Sequence, residues 1–464
     1  MQQRKKGFVV PHVYVILFGL ILICSVLSYF IPASRYEMMM AGGREVVDAS
    51  TYHLVEASPV TLMQLLSAVP RGMTESAQII FFIFIVGGTF AIIQKSGAIE
   101  AGIGKICQLL RGRTLILIPV ILMLFSLGGA VFGMAEETIP FIPIFVSLCI
   151  AMGYDSITGT AIVFCGSGAG FAGAFMNPFT VQVAQSVAGL PILSGIGFRL
   201  VMYVTYLVLT SAFVMWYANS VKRSPEKSCM YEEDRLRSDV VDLNNLAEFG
   251  TKEKLVLGVF AAAIFLLVFG VVRWGWYMDE ISALFIGMSM IIAMIVRMSP
   301  NEFAVTFGNG MAEIASGALV VGFARGVLVV LTDSSILHTI LHAAAVVLER
   351  LPSTLSALGM YLFQCLLNFL VPSGSGQAAV SLPIMAPLGD IVGVSRQTAC
   401  IAYQLGDGIS NIFTPTSGFF MAGLALARIP WSKWARWILP LIGLQYLLGG
   451  VFVVIAHWIT LGPF

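Results

Sequence analysis

The stretch "PSGSGQAAVSLPIMAPL", which runs from Pro372 to Leu388, decides how the rest of this chain is read. Prolines, glycines, serines and a glutamine interrupt a strongly apolar region where a membrane helix normally carries Leu, Ile and Val. Unwound backbone at membrane depth is tolerated only where protein or a water-filled cavity satisfies its polar groups. If the chain lies in a bilayer, this stretch therefore predicts an interrupted helix beside a cavity.

The composition places the chain in a bilayer. Of its 464 residues, 58% are hydrophobic and only 11% are charged, and the mean hydropathy is +0.90. Runs such as 13–31 and 255–272 have the roughly 17–25 apolar residues that a helix needs to cross the hydrocarbon. The seven cysteines show no CxxC or metal-ligand spacing, which argues against a disulfide or zinc framework. These features exclude a soluble domain and predict an all-α polytopic membrane protein in contact with the lipid bilayer.

Two halves of the chain resemble each other, which indicates an internal duplication. "RGMTESAQIIFFIFIVGG" (71–88) aligns with "NGMAEIASGALVVGFARG" (309–326) at an offset of 238 residues. "PIFVSLCIAMGYDSITGTA", from Pro143, aligns with "PIMAPLGDIVGVSRQTACI", from Pro383, at an offset of 240. The second offset also places Gly166 and Gly168 on Gly406 and Gly408.

Basic residues predict the orientation of the two halves. They cluster at the N-terminus and within 95–113, 222–254 and 428–436, so these segments are expected on the cytoplasmic face. Four helices, near 9–31, 78–96, 157–185 and 197–219, then return the chain to the cytoplasm. One extra helix, 255–272, carries it outside, so the second half starts from the opposite face. The repeats are therefore predicted to be inverted, with about nine transmembrane helices in total.

The predicted domain organisation follows from this count. The first repeat covers 1–219 and the second covers 281–456. The mixed-charge linker 220–254 is interpreted as a solvated cytoplasmic connector, and 255–272 is the extra connecting helix. Inverted repeats with interrupted helices are typical of secondary transporters, which bind substrate near the bilayer midplane.

Each half is predicted to contain a re-entrant hairpin and a broken helix. The second hairpin spans about 354–393 and has its tip at Pro372, and the broken helix 397–427 contains "GDGISNIFTPTSG". The first hairpin spans about 114–153 and has its tip at "FGMAEET", and the broken helix 157–185 contains "GSGAGFAGAFMNP". We expect the two opposed hairpins and both breaks to converge on one site.

The candidate substrate- and ion-binding residues come from these four interruptions. They are Glu136, Glu137, Thr138, Gly166, Ser167, Gly168, Asn177, Ser373, Gly374, Ser375, Gly376, Gln377, Asp407, Ser410, Asn411, Thr414, Thr416 and Ser417. Small residues in membrane helices also serve close packing, and the acids could cap a helix. Asp407 could instead pair with Arg325, the candidate counter-charge and the one basic residue that this interpretation places in the interior. An intramembrane ionisable residue is a functional candidate by default.

Several other patterns point away from a metal or an enzyme. His338 and His342 share a helix face at i and i+4, but no third ligand accompanies them, so no metal site is predicted. Glu75 and Glu313 are interpreted as interfacial caps at helix starts. No Walker A motif is present, and "GSGAG" lacks the strand–helix context of a nucleotide loop. No cofactor, nucleic acid or enzymatic activity is expected, and energy must come from a gradient, with Na⁺ or H⁺ as candidate coupling ions.

Four motifs, "AEETIPFIPI", "NPFTVQVAQ", "PSGSGQAAVSLPIMAPLGD" and "DGISNIFTPTSG", resemble the YfcC family over nearly the whole chain. That family is grouped with the C4-dicarboxylate anaerobic carriers and the ArcD-type basic amino-acid antiporters. The resemblance implies the ion-transporter-superfamily fold in the bacterial cytoplasmic membrane, as a homodimer with a scaffold and a mobile transport subdomain. Related dicarboxylate carriers use a Ser-Asn-Thr motif at each tip. Here the tips carry Ser373-Gly374-Ser375 and Ala135-Glu136-Glu137, and a Ser-Asn pair remains at 410–411.

Charge at the interruptions favours one substrate class. A dicarboxylate site needs positive groups, whereas the interruptions hold Glu136, Glu137 and Asp407. Acids at the site favour a cationic ligand group or coupling cations. We therefore favour an amino acid, most simply a basic one, with its α-carboxylate near 373–377. The alternative is a C4-dicarboxylate or similar organic anion, with the acids binding Na⁺ or H⁺.

Overall fold

The computed structural model describes residues 11–41, 44–98, 101–102, 114–237 and 250–462, and these residues are mostly helical. The helices are α1 (Val13–Leu27), α2 (Leu62–Glu75), α3 (Ala77–Lys95), α4 (Thr114–Leu127), α5 (Ile142–Ala151), α6 (Ser156–Ala172), α7 (Val181–Val187), α8 (Ile196–Arg223), α9 (Tyr231–Arg235), α10 (Thr251–Phe269), α11 (Met278–Ile295), α12 (Pro300–Asp333), α13 (Leu337–Glu349), α14 (Ser353–Leu370), α15 (Gly374–Val392), α16 (Arg396–Ser410), α17 (Gly418–Leu426) and α18 (Trp431–Trp458). Four short strands lie between α1 and α2: β1 (Ser34–Arg35), β2 (Met38–Ala41), β3 (Arg44–Val47) and β4 (His53–Leu54).

Several helices are long and apolar enough to cross a membrane. Within the described ranges α3, α8, α11, α14 and α18 meet this criterion. The helix α12, which bends by 42° between Ser316 and Ala318, is a sixth if it is taken as one span. Shorter apolar helices of 10–17 residues include α1, α6 and α13. The chain is therefore a multi-pass membrane protein.

The order of elements in the first half recurs in the second half. The pair α2 and α3 runs from Leu62 to Lys95, and α12 covers the 34 positions that lie 238 residues further on. Both α8 and α18 contain 28 residues. The helices α6 and α16 begin 240 residues apart, after the caps Asp155 and Ser395. Each cap accepts a hydrogen bond from the backbone N–H of the Thr three residues later, so the same local sequence signal starts both helices.

Glycine contacts between the halves are exchanged in pairs. A Cβ added to Gly72 would lie 2.6 Å from the backbone N of Gly326, and one added to Gly310 would lie 3.0 Å from the Cα of Gly88. At the 238-residue offset, Gly72 corresponds to Gly310 and Gly88 to Gly326. The contact of Gly310 with Gly88 is therefore the counterpart of the contact of Gly72 with Gly326, with the two halves of the chain exchanged. Only glycine lets α2–α3 and α12 approach this closely at both places.

The broken helices α6 and α16 show the same exchange. A Cβ on Gly168 would lie 2.8 Å from Cγ2 of Ile412, and one on Gly408 would lie 2.8 Å from the Cα of Ala172. Gly168 corresponds to Gly408, and Ala172 to Ile412, at the 240-residue offset. Two independent pairs of contacts thus relate the halves by an approximate twofold exchange.

Two main hydrophobic cores organise the helices. One is formed mostly by α4–α6, α8 and α14–α18. The other is formed mostly by α3, α10, α11 and α12. Four interruptions lie where these units meet. We call them the first tip (128–141, between α4 and α5), the first break (173–180, between α6 and α7), the second tip (371–373, between α14 and α15) and the second break (411–417, between α16 and α17).

The strands between α1 and α2 correct the prediction of an all-α fold. They pair as two antiparallel two-stranded sheets, β1 with β4 and β2 with β3. The two histidines that resemble a metal pair hold these strands against α13. His338 Nδ1 accepts the backbone N–H of Tyr36 at 3.1 Å, and His342 Nδ1 is hydrogen-bonded to the Tyr36 hydroxyl at 3.2 Å. The ring of His342 also stacks on Tyr52 with centroids 3.7 Å apart.

The interpretation of 220–254 as a solvated connector is wrong for its first part. Residues 225–237 form a short turn and α9, and they pack on the ends of α6 and α18. Asp155 accepts hydrogen bonds from Tyr217 and Ser228, both at 2.6 Å, while the backbone N–H of Ser156 donates to Asp234. Lys433 beside Glu233 lowers the pKa of that carboxyl. Buried acceptors need such partners, so this part of the linker is integral to the fold.

Candidate functional site

A cavity of about 280 Å³ lies where the four interruptions meet α3, α12 and α17. Its walls come from Gly133 and residues 135–137 of the first tip, Phe179 and Thr180 of the first break, 371–375 at the second tip, and Asn411 and Thr416 of the second break. The other lining residues are Ser76, Ile79, Phe171, Tyr277, Gly418 and Phe419, together with four residues of α12: Val321, Ala324, Arg325 and Leu328. Eight predicted residues line it: Glu136, Glu137, Ser373, Gly374, Ser375, Asn411, Thr416 and Arg325.

The first tip presents two adjacent carboxylates. Gly133 adopts φ +72°, which favours glycine, and it reverses the chain after α4. The helical turn 136–141 then begins with Glu136 and Glu137. Glu137 is only 6% exposed, and its Oε2 accepts the backbone N–H of Ala135 at 3.0 Å. Thr138, which does not line the cavity, donates through Oγ1 to the Ala135 carbonyl at 2.5 Å and fixes the turn.

The second tip presents the N-terminus of α15. Ser373 caps this helix, because its Oγ accepts the backbone N–H of Gly376 at 3.3 Å. The Tyr403 hydroxyl donates to the Gly374 carbonyl at 2.5 Å. A Cβ on Gly374 would lie 2.7 Å from Cγ2 of Thr180 and 3.3 Å from Asp407 Oδ2, so this position requires glycine. A helix N-terminus with small side chains is suited to a carboxylate.

The second break is rich in buried oxygen atoms that lack a hydrogen-bond partner within the described part of the chain. They are Asp407 Oδ2, Asn411 Oδ1, Thr414 Oγ1, Thr416 Oγ1 and Ser417 Oγ. The other oxygen of Asp407 accepts from Asn368 Nδ2 at 2.9 Å and from Asn411 Nδ2 at 3.0 Å. Buried polar atoms are costly without partners. Carboxylate, amide and hydroxyl oxygens are the ligand types that hard cations prefer.

The backbone of the second break is held from α18. Trp431 Nε1 donates to the Phe413 carbonyl at 2.9 Å, and Trp434 Nε1 donates to the Ile412 carbonyl at 3.0 Å. Ser410, at the end of α16, shares a hydrogen bond with the Tyr446 hydroxyl at 2.8 Å. These partners replace the helical hydrogen bonds that the break removes.

The first break is held instead by hydrogen bonds of Asn177, within its own segment and to the first tip. Asn177 donates to the Gly129 carbonyl at 3.0 Å, and its Oδ1 accepts the backbone N–H groups of Phe179 and Thr180. Asn177 thus joins the first break to the first tip and does not line the cavity. Thr180 Oγ1 is buried and has no partner among the described residues.

Other predicted residues serve packing or internal hydrogen bonds. Gly166 and Gly168 allow close helix approach, and Ser167 donates to the Phe164 carbonyl at 3.3 Å. Gln377 is fully buried, and its amide donates to the side-chain and backbone oxygens of Gln364 at 2.8 and 2.9 Å. The sequence alignment of Glu137 with Gln377 suggests equivalent ligand contacts, but only Glu137 lines the cavity.

The predicted pairing of Arg325 with Asp407 is wrong. Arg325 Nε donates to Glu75 Oε2 at 2.9 Å, so the basic charge on the cavity wall already has a counter-charge. Glu75 ends α2, and Glu313 lies within α12, where it pairs with Arg428 at 3.0 Å. Neither acid caps a helix start as predicted. Side chains some 250 residues apart in sequence form the Arg325 pair, which no local pattern reveals.

Arg199 is a second interior cation that the sequence analysis overlooked. It lies in the first turn of α8, it is fully buried, and none of its three guanidinium nitrogens has a hydrogen-bond partner among the described residues. The signal was present in the sequence, since Arg199 stands alone within "GIGFRLVMYV". It does not line the cavity.

Comparison with known proteins places these features in a family. The sequence profile of the DcuC family, described as C4-dicarboxylate anaerobic carrier, matches residues 10–458. An Escherichia coli K12 protein named "Putative basic amino acid antiporter YfcC" is 35% identical over 97% of this chain and 96% of its own. A Haemophilus influenzae protein of unassigned function is 28% identical over 98% of both chains.

Two solved transporter structures are similar over almost the whole chain. The YdaH transporter of Alcanivorax borkumensis has a TM-score of 0.43 and 15% identity, covering 97% of this chain and 100% of its own. MtrF of Neisseria gonorrhoeae has a TM-score of 0.41 and 18% identity, covering 97% of this chain and 96% of its own.

Proposed function

The chain belongs to the DcuC family of C4-dicarboxylate anaerobic carriers, and we propose that within it the chain transports basic amino acids. It is a secondary transporter, and its mode in this proposal is antiport or ion-coupled transport across the bacterial cytoplasmic membrane. The name of the Escherichia coli relative supports this substrate class over the class in the family's description.

The charge balance at the cavity carries the proposal. Arg325 is neutralised by Glu75, whereas Glu136 and Glu137 form no ion pair among the described residues. The cavity therefore has an excess of negative charge, which favours a ligand with a cationic end. In our proposal the side-chain cation of the substrate binds at the first tip, and its α-carboxylate binds at Ser373–Ser375, where α15 begins.

Coupling to Na⁺ or H⁺ is proposed at the second break. The unpartnered oxygens of Asp407, Asn411, Thr416 and Ser417 fit a monovalent cation, since each has a lone pair free for a ligand bond. Replacing Asp407 by Asn keeps the side-chain shape and removes the charge. We expect this variant to retain substrate binding and to lose most of the Na⁺ dependence of transport.

The proposed mechanism uses the predicted architecture. The hairpins 114–153 and 354–393 are re-entrant, the repeats 1–219 and 281–456 are inverted, and about nine helices cross the membrane. The helices that carry the tips and breaks move as one subdomain against a scaffold of α2, α3, α11 and α12, in a homodimer. Reporter fusions test this topology: the segment near Pro225 should be cytoplasmic and the C-terminus outside. A cytoplasmic C-terminus would contradict inverted repeats.

A C4-dicarboxylate or similar organic anion is the second candidate. The family description favours it, and so does the presence of Arg325 and a helix N-terminus on the cavity wall. In this case the acids of the site bind Na⁺ or H⁺, and Arg325 must leave Glu75 to reach a carboxylate.

Exchange assays in liposomes distinguish the two candidates. Purified protein would be tested with arginine, ornithine, citrulline and succinate at several Na⁺ concentrations and pH values. We expect exchange of arginine and ornithine, weaker exchange of citrulline and none of succinate. Succinate transport with no response to arginine would reject the basic amino-acid proposal in favour of the second candidate.

A further inference from the structure

The first tip brings two carboxyl groups to the same cavity. Glu136 and Glu137 are consecutive in the helical turn 136–141, and both line the cavity. The hydrogen bond from Ala135 to Glu137 Oε2 and the bond from Thr138 to the Ala135 carbonyl fix the turn. The two acids therefore share one turn and one cavity wall.

The basic side chain on the cavity wall already has an acidic partner, because Arg325 is bonded to Glu75. The Tyr277 hydroxyl, which also lines the cavity, interacts electrostatically with both acids of the first tip. A phenol at neutral pH is uncharged and cannot compensate a carboxylate.

The helices packed against the turn supply no cation either. The turn contacts α5, α6 and α17. Their titratable side chains are Cys149 of α5 and Cys165 of α6, while α17 has none. Asp407, the other acid of the region, lies in the last turn of α16 before the second break and supplies no positive charge. Each neighbour of the two carboxylates is thus neutral, anionic or already paired.

Two adjacent carboxylates in a poorly hydrated site cannot both be ionised at low cost, because each charge opposes the other. We propose that Glu136 and Glu137 hold one proton between them in the ligand-free site and release it when a cationic ligand group binds. The proton passes to water at the open side of the cavity, and the cation takes its place, so the net charge of the site stays the same. This step rests on the proposed function, because it assigns the cationic end of a basic amino acid to this tip.

The exchange makes substrate binding depend on pH in a defined direction. Below the pH at which the shared proton dissociates, a cation must displace it, so the dissociation constant should rise about tenfold for each unit that the pH falls. A neutral ligand of similar shape carries no positive charge, so it should displace no proton. The carrier then returns empty with a proton, which couples uptake of a cation to export of H⁺.

Infrared titration of the ligand-free, detergent-purified protein tests the shared proton. The C=O stretch of a protonated carboxyl should be present at neutral pH in the wild type and lost in both Glu136→Gln and Glu137→Gln, because a single remaining carboxylate ionises. Asp407 is another buried carboxyl, so the three proteins are also compared in an Asp407→Asn background, in which the band should remain when Glu136 and Glu137 are both present. Absence of the band from the wild type, or its persistence in both Gln variants, would overturn the shared proton.

Proton release tests the exchange. Arginine is added to weakly buffered protein with a pH indicator, and citrulline, its neutral analogue, is the control ligand. We expect up to about one proton per bound arginine and none with citrulline or with Glu137→Gln. Arginine binding without proton release, at an affinity independent of pH, would overturn the exchange while leaving the proposed function intact. Failure of arginine to bind a protein that shows the infrared band would overturn the proposed substrate class and the exchange together, but not the shared proton.

Discussion

The two tips occupy corresponding places in the two halves, yet they present different chemistry to the same cavity. The first tip offers two carboxylates from a short helical turn, and the second offers the N-terminus of a longer helix with small hydroxyl side chains. Elsewhere in the two halves, close glycine contacts at Gly72 and Gly310 and at Gly168 and Gly408 are exchanged between corresponding positions. Duplication therefore preserved the backbone framework, while charge at the tips diverged. This asymmetry suits a ligand with two different ends.

The largest effect is expected at Gly374, where the second tip approaches its neighbours most closely. Leu at this position would fill the space between Thr180 and Asp407, and we expect transport to fall by at least about a hundredfold. Gly287→Leu is the matched control, because nothing lies within 4 Å of its added Cβ. Uptake by both variants would be measured at equal abundance in the membrane. Normal uptake by Gly374→Leu would make the second tip a packing motif and remove the comparison.

Glu137→Gln sharpens the comparison by giving the first half the same amide that the second half carries at the corresponding position, Gln377. The amide oxygen can still accept from Ala135, so the fold should persist, but a charge-assisted contact worth roughly 1.5–3 kcal/mol is lost. The affinity for arginine should fall by about ten- to a hundredfold. Binding of citrulline should change little. An unchanged arginine affinity, combined with an altered Na⁺ dependence, would assign the first tip to ion coupling instead.

Gln377→Glu makes the reverse change, from an amide to a carboxylate, one turn beyond the second tip. Gln377 donates to two oxygens of Gln364, and a carboxylate in its place would face them as an acceptor without a proton. We expect a loss of stability on the order of 1–3 kcal/mol, which thermal melting in detergent would detect. Glu137→Gln should leave the melting temperature nearly unchanged. Equal melting temperatures for wild type and Gln377→Glu would mean that Gln377 is not held by this network.

The smallest effect is a difference in stability between alanine variants of Gly168 and Gly408, which occupy corresponding positions in the two broken helices. A methyl group on Gly408 meets the backbone of Ala172, which cannot move aside, whereas one on Gly168 meets the flexible side chain of Ile412. Gly408→Ala should therefore lower stability by about 1 kcal/mol or more, and Gly168→Ala by less. Melting curves of the two variants give the comparison directly. The opposite order would mean that the halves differ in backbone packing as well as in charge.

The positions of the interruptions could be predicted because helix-weakening residues have local effects. The helix α14 ends at Leu370, just before the interruption predicted at Pro372, because Pro372 and Gly374 follow directly. The direction in which each side chain points could not be predicted in the same way. Gln377 lies one turn beyond the tip, where a rotation of the helix turns it from the cavity to Gln364.

Pairings between distant segments were also beyond the sequence. No nearby sequence pattern identifies Glu75 as the partner of Arg325. Only the fold therefore shows that the positive charge of Arg325 on the cavity wall is compensated. The strands between α1 and α2 were missed because they are very short: β2 and β3 form a hairpin that the β1–β4 pair encloses, and contacts from His338 of α13 outweigh weak local preference. Arg199 was overlooked because a single charge early in a long apolar helix resembles an interfacial residue.

The cavity is bordered on one side by α3 and α12 and on the other by the tips and breaks, so a bound molecule lies where two packed units meet. A compact ligand that engages only the tips and breaks could travel with them. A longer ligand, one that also grips Arg325 or Tyr277, would bridge both surfaces and resist sliding. Size discrimination would then arise from the rate of the conformational change as much as from affinity. Elongated analogues of a substrate would bind tightly, slow the movement of the two units and inhibit transport.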